Sequence, residues 1–354
     1  MKRITIRDIA KMLSLSPSTV SRALSDHPDI SEATKQRVNE VADAFNYTVN
    51  LHSNFFRNRK SNLVALIIPE INMFFTPQLI RSVQKELSRK GYSLFVLISN
   101  DSFSKESEML EQCIKWAVEG VLISVSGETK NANHIMRLKD FGIKTIMVDR
   151  VISNTDFPTI SSDSFGSAYS ATEHLINNGH RNILGLFGNP NLSITKQRIA
   201  GFDRAIANYQ GTIQVKKFNN ILKAKKVDEI LPEVVNKNKD SVTAIFTMSD
   251  ELLSWTHYTL SRMGIKVYDE ISLITISDGV YPYIVFPNVS YVKDSGSKMG
   301  KRITRKLIDL IEGREVKHKT MLRTKLVELD SVKNIMNVTE EVQTLDQGSL
   351  GLLT

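Results

Sequence analysis

The sequence has little that would tie a chain down covalently or hold it to a lipid. Cys113 is its only cysteine, which excludes an internal disulfide and a cysteine metal cluster, and no histidine pair stands at a zinc-binding spacing. No run approaches the roughly eighteen apolar residues of a membrane span. Met1-Lys2-Arg3-Ile4-Thr5 passes directly into a polar periodic segment, without the apolar core of a secretion signal. The chain is therefore expected to stay in the cytosol. A Gly-rich phosphate loop, a Gly-x-Ser-x-Gly elbow and a paired His–carboxylate constellation are all missing, so neither enzyme chemistry nor a cofactor is expected.

What is present is ordinary globular composition, 41% hydrophobic and 24% charged over 354 residues, long enough for two or three folded units. The net charge is +8, and its placement says more than its size. Residues 1–60 hold ten Lys/Arg (Lys2, Arg3, Arg7, Lys11, Arg22, Lys35, Arg37, Arg57, Arg59, Lys60) against six acids (Asp8, Asp26, Asp29, Glu32, Glu40, Asp43). Half of the excess lies in about a sixth of the chain, as in a head that contacts phosphates.

Ile6, Ile9, Ala10 and Leu13 recur at i, i+3, i+4 and i+7, one face of a short helix that Thr5 can cap. Ser14-Leu15 follows as a turn, then Ser16-Pro17, an N-cap with proline at the first helical position. The second helix runs from Pro17 to Leu24 and buries Val20, Ala23 and Leu24. Ser31 starts a third, with Val38, Val41, Ala42 and Phe45 on one face. Two short helices and a tight turn closed by a third make a helix-turn-helix, whose second helix enters the major groove. Its outward face is Ser18, Thr19, Ser21 and Arg22. Short hydroxyls suit phosphates and base edges, and Arg22 suits guanine.

Thr5-Ile6-Arg7-Asp8-Ile9-Ala10, Ser16-Pro17-Ser18-Thr19-Val20-Ser21-Arg22-Ala23-Leu24 and Asn46-Tyr47 resemble the headpiece of the LacI/GalR family of bacterial transcription regulators, without a gap through Asn50. Ser14 departs from the glycine that many such turns carry. The resemblance implies DNA contacts from Thr5, Ser16, Pro17, Ser18, Thr19, Ser21, Arg22, Ser31, Thr34, Tyr47, Asn50 and Phe56. It also implies that 47–60 is a hinge ordered on DNA, with Phe56 as a minor-groove wedge where leucine is usual. Val49 stands where the family usually has proline, and Ser53 where it has alanine.

From Leu63 onward, short apolar runs alternate with amphipathic segments. Leu63–Ile68, Ser93–Ile98, Val121–Ser124 and Lys144–Val148 read as buried strands, and Asn182–Phe187, Ala244–Thr247 and Ser272–Ile276 as a second set. Gly91, Gly120, Gly142, Gly179 and Gly264 fall where helices should stop. The alternation implies parallel sheets with helices on both faces, here two doubly wound subdomains with a cleft between them. Ligands bind beyond the carboxyl ends of such strands. Those ends offer Glu70 to Phe75, Ser99 to Asp101, Ser124 to Ser126, Asp149-Arg150, Gly188-Asn189, Ser249-Asp250 and Ser277-Asp278. They suit a polyhydroxylated or anionic ligand.

The family likeness continues here more loosely, in Ile67-Ile68-Pro69, Gly91-Tyr92, Asp149-Arg150, His174-Leu175, Gly179-His180-Arg181 and Arg198-Ile199-Ala200-Gly201-Phe202. It implies a periplasmic-binding-protein-like body holding a sugar, sugar acid or sugar phosphate through Phe75, Asp149, Arg150, Arg198, Ser249, Asp250, Ser277 and Asp278. Ser277 replaces an aspartate that contacts effector in the family. The expected organisation is a head over 1–46, a hinge over 47–60 and a body over 61–354. The body's subdomains are placed at roughly 61–161 plus 292–318 and 162–291 plus 319–340. As implied, this is a homodimeric repressor of carbohydrate-utilisation genes acting on a near-palindromic operator. The body alone would also suit a sugar-transport solute-binding protein, a role the missing signal and the basic head oppose. Residues 334–354 show no leucine heptad of a tetramer-forming coil.

Overall fold

The computed structural model describes residues 4–45, 47, 61–71, 74–235 and 241–336. Asn50 and Phe56 lie outside them. Contacts divide the chain into two units, one ending at Ser61 and one beginning at Asn62.

The first unit is three helices, α1 (Ile6–Leu13), α2 (Pro17–Leu24) and α3 (Glu32–Ala44). Ile9, Ala10, Val20, Ala23, Val38 and Ala42 form its core, with Leu15, Leu24 and Val41 packed at the edge. Phe45 is not part of the buried face. It ends α3 and is 53% exposed, while Tyr47 packs on the core. The Tyr47 amide donates to the Ala42 carbonyl at 2.7 Å, which turns the chain back and exchanges one aromatic residue for the other.

Within the second unit, twelve named strands form two six-stranded sheets. The first has the order β11 (Lys319–Leu322), β5 (Thr159–Ser162), β4 (Lys144–Val148), β3 (Gly120–Ile123), β1 (Leu63–Ile68) and β2 (Ser93–Ile98), all parallel. The second has the order β12 (Lys325–Val327), β10 (Ser290–Lys293), β9 (Ser272–Ser277), β8 (Ala244–Thr247), β6 (Asn182–Leu186) and β7 (Gln214–Phe218). Only β12 runs antiparallel to its neighbour. Central strands are apolar on both faces because helices cover both. The helices are α4 (Phe75–Ser88), α5 (Phe103–Lys115), α6 (Asn133–Asp140), α7 (Ser164–Asn177), α8 (Ser193–Asn208), α9 (Ala224–Val234), α10 (Asp250–Arg262) and α11 (Gly296–Ile311).

The chain passes between the sheets three times, after β5, after β10 and after β11. The expected division at 318/319 is corrected here, since Lys319–Leu322 pairs with β5 of the first sheet and only 325–327 joins the second. Likewise Ser290–Lys293 is one strand of the second sheet and is not cut at 291/292.

Among the described residues eight helices end on one motif, in which an amide reaches back five residues across a left-handed residue. Tyr92 donates to Leu87, Ile143 to Leu138, His180 to Leu175, Ile265 to Leu260 and Arg314 to Asp309, across Gly91, Gly142, Gly179, Gly264 and Gly313 at positive φ. Gly120 belongs to no such cap: it opens β3, and an added Cβ would meet Leu307 at 2.9 Å. Ala117, with φ 50, takes the left-handed place before it as Val118 donates to Cys113. In the head Asp26 does the same at φ 52 under the His27–Arg22 bond, and Ser14 at φ 52 under the Leu15–Ala10 bond. The turn thus keeps the geometry that glycine usually serves.

Candidate functional site

The head presents hydroxyls and guanidinium on α2. Ser16 caps the helix, its Oγ accepting from the Thr19 amide at 3.0 Å and lying 2.7 Å from Ser18 Oγ and 2.8 Å from Thr19 Oγ1. Proline at the next position needs no partner for its missing N–H. Ser18 and Arg22 are exposed, Thr19 and Ser21 partly so. Thr5 and Asp8 form a reciprocal capping box on α1, with Thr5 N donating to Asp8 at 2.9 Å and Asp8 N to Thr5 Oγ1 at 3.4 Å. Ser31 caps α3 through Thr34. Lys35 is removed from the count of phosphate-seeking cations. It lies nearly buried, 2.7 Å from both Asp26 and Glu32.

In the second unit, the carboxyl ends of strands from both sheets surround a cavity of about 300 Å³. All eight expected residues line it. Phe75 begins α4, Asp149 and Arg150 follow β4, and Arg198 projects from α8. Ser249 and Asp250 open α10, and Ser277 and Asp278 end β9. Glu70, Asp101, Asn189 and Trp255 also line it, whereas Ser124 and Ser126 lie buried outside the lining. The Ser126 amide and the Thr129 hydroxyl donate to fully buried Glu106, which His134 Nε2 meets at 2.7 Å. That network fixes the loop whose Gly127 amide donates to Asp101.

Asp294 was missed from the sequence and lies at the centre of the polar network. Its Oδ1 accepts from Ser162 at 2.5 Å, and its Oδ2 sits 3.4 Å from Arg198 Nη2. Arg198 Nη1 donates to the Met248 carbonyl at 2.7 Å, while its Nε has no hydrogen-bond partner. Arg150 Nη1 donates to Asp101 at 2.8 Å. Asp101 and Asp149 both adopt positive φ, strain that turns of this kind store at binding sites. Burial and the Asp294 carboxylate raise the Asp149 pKa, against Arg150 and Arg198. Burial also raises Asp294 and Asp278, and pushes Asp250 up to about 7.

Arg198 is held in place by a close helix crossing. A Cβ added at Gly201, one turn further along α8, would lie 2.1 Å from the Phe165 carbonyl oxygen on α7. Gly296 plays the same part where α11 meets α4, with the Phe75 oxygen 2.2 Å away.

A helix-turn-helix head followed by two doubly wound sheets around a polar cavity defines a DNA-binding regulator with a body of the solute-binding type. Residues 5–50 match the model described as bacterial regulatory proteins of the lacI family. Residues 61–328 match periplasmic binding proteins and the sugar-binding domain of the LacI family. The chain belongs to the LacI family of bacterial transcription regulators. It is 26% identical to the HTH-type transcriptional repressor PurR of Mannheimia succiniciproducens, over 94% of this chain and 99% of that one. It is 25% identical to the ribose operon repressor of Halalkalibacterium halodurans, over 93% and 97%. A Lac repressor dimer bound to operator and an anti-inducer shares the fold at TM-score 0.80 and 18% identity, covering 94% of this chain and 100% of the other. These relatives are regulators and not enzymes. Among the described residues no helix is long and apolar enough to cross a membrane.

Proposed function

We propose that this chain is a cytoplasmic repressor of carbohydrate-utilisation genes, released from or locked onto its operator by a small polar effector. The observation that carries the reading is the cavity itself. Side chains from both sheets converge on one space, so a ligand there bears on how the sheets are held. Relatives named for purine and ribose regulation support a metabolite effector. Arg22, with Ser18, Thr19 and Ser21, reads bases. Thr5, Ser16, Pro17, Ser31, Thr34 and Tyr47 position the head on phosphates, and Asn50 and Phe56 act from the linker.

Two copies are needed to read a near-palindromic operator. An exposed apolar patch supports such pairing: Phe286 is 91% exposed, beside Ile284 and Tyr283, and its carbonyl lies 3.4 Å from His257 Nε2 near exposed Tyr258. Patches of this kind mark interaction surfaces.

Selection of bound duplexes from a random pool tests the reading, and should return a two-fold symmetric site. Arg22→Ala should then lose about 1–3 kcal/mol of preference for that site over random DNA. Undiminished discrimination would remove Arg22 from base reading. Selection without any enriched sequence would overturn the function.

A further inference from the structure

The cavity is lopsided in charge. Seven carboxylates line it against two guanidinium groups. The two cations are already engaged, Arg150 with Asp101 at 2.8 Å and Arg198 with Asp294 at 3.4 Å. Asp149, Asp250 and Asp278 line the same space with no lysine or further arginine among the described lining residues. An incoming carboxylate or phosphate would meet this excess at short range and in a medium that screens poorly.

Two valences are also open. Asp250 is only 6% exposed, and its Oδ1 has no hydrogen-bond partner. Arg198 is 7% exposed, and its Nε–H lacks an acceptor. Buried polar atoms left unpaired are expensive, and a site holding them is shaped for a ligand that completes them. The first needs a donor, best a cationic one given its acidic surroundings. The second needs a neutral acceptor, since Asp294 already supplies the negative charge.

We propose that the effector of this chain is a hydroxylated amine, its ammonium held by Asp250 and a hydroxyl oxygen by Arg198. The proposal rests on the reading of this cavity as the effector site. It replaces the acids and phosphates that the strand-end polarity alone allowed. Burial, with Glu251 and Asp278 beside it, raises the proton affinity of Asp250 against hydrogen bonds from the Ser277 side chain and the Asp278 backbone, and an ammonium relieves both repulsions.

The test is a matched panel on the full chain near neutral pH. Glucosamine, galactosamine and mannosamine are each compared with the parent sugar, the uronic acid and the phosphate ester, by thermal shift and calorimetry. At least one amine should raise Tm while its acid and ester do not, and it should bind at least about tenfold tighter than its parent, the scale of one charge-assisted hydrogen bond. Asp250→Asn should erase that tenfold preference. Binding of a parent sugar, acid or ester as tight as its amine overturns the proposal, as does silence from all three amines or an intact preference in D250N. Operator binding by the same preparation separates the two readings. A neutral sugar that shifts DNA affinity leaves the regulator standing and removes the cation, whereas failure to select any DNA site removes the regulator itself.

Discussion

Arg198 Nη2 and Asp294 Oδ2 lie 3.4 Å apart as a pair no more than 9% exposed on either side, drawn from different elements, α8 and the end of β10. Burial raises the Asp294 pKa and Arg198 opposes it, so the pair is worth less than its distance suggests. Removing one partner is another matter, because the other stays buried without compensation. Asp294→Ala is expected to cost about 3 kcal/mol, read from the urea midpoint at constant m. An unchanged midpoint would show that Met248 and solvent satisfy Arg198 without it.

Gly201→Ala should damage both stability and ligand binding. The added methyl would fall 2.1 Å from backbone oxygen on α7, and backbone cannot step aside as a side chain does. A loss of about 2 kcal/mol or more is expected, with weaker effector affinity because α8 carries Arg198. Denaturation and calorimetry on one preparation check both effects. Full stability in the variant would mean that α7 and α8 slide freely.

Glycine at two of the three left-handed helix ends that lack it should stabilise. Ser14 and Ala117 hold φ of 52 and 50, a conformation that costs a side-chain-bearing residue about 1–2 kcal/mol. Part of this returns as the greater freedom of unfolded glycine. Ser14→Gly and Ala117→Gly should each gain about 0.5–1 kcal/mol, read in the separate transitions of head and body. A loss at either position would mean that its side chain contributes contacts beyond those seen.

These two positions also show where the residues were legible and where they were not. Five of the eight caps carry glycine and four of those are picked out from the sequence, while Gly120 read as a cap only because Ala117 had taken its place. Strands such as Leu63–Ile68 are buried on both faces and stand out as apolar runs. The edges, Gln214–Phe218 with its two lysines and Lys325–Val327, carry polar residues that discourage edge pairing and so leave no run to find. Asp294 escaped for the same reason: its strand, Ser-Tyr-Val-Lys, is four residues long. Once that strand is known, the carboxyl-end rule that found Asp149 and Asp278 finds Asp294 too.

Asp250 makes stability fall with rising pH. Its pKa is raised from 3.8 to about 7 in the fold, so the folded chain binds the extra proton. Stability is full below the unfolded value and declines as pH climbs through about 7. Buried His180 acts oppositely, with its pKa lowered to about 4, and adds stability as pH rises from about 4 toward the ordinary histidine range. The difference between wild type and Asp250→Asn cancels His180 and every other shared group. It should grow in favour of the asparagine from acid toward pH 8, reaching on the order of a few kcal/mol. A flat difference would place the Asp250 carboxyl in contact with water.

The three passages of the chain between the sheets bear on how the protein is made. The first sheet is not closed until Lys319–Leu322 is laid beside Thr159–Ser162, and the second not until Lys325–Val327 meets Ser290–Lys293. On a ribosome the head can fold as soon as its helices emerge, whereas neither half of the body has its last strand until nearly the whole chain has been translated. A nascent chain therefore completes its helix-turn-helix head well before it has a finished cavity with which to be regulated. Truncation within the last strands would be felt in both halves at once, and the body cannot be divided into an amino-terminal and a carboxyl-terminal fragment that each fold alone.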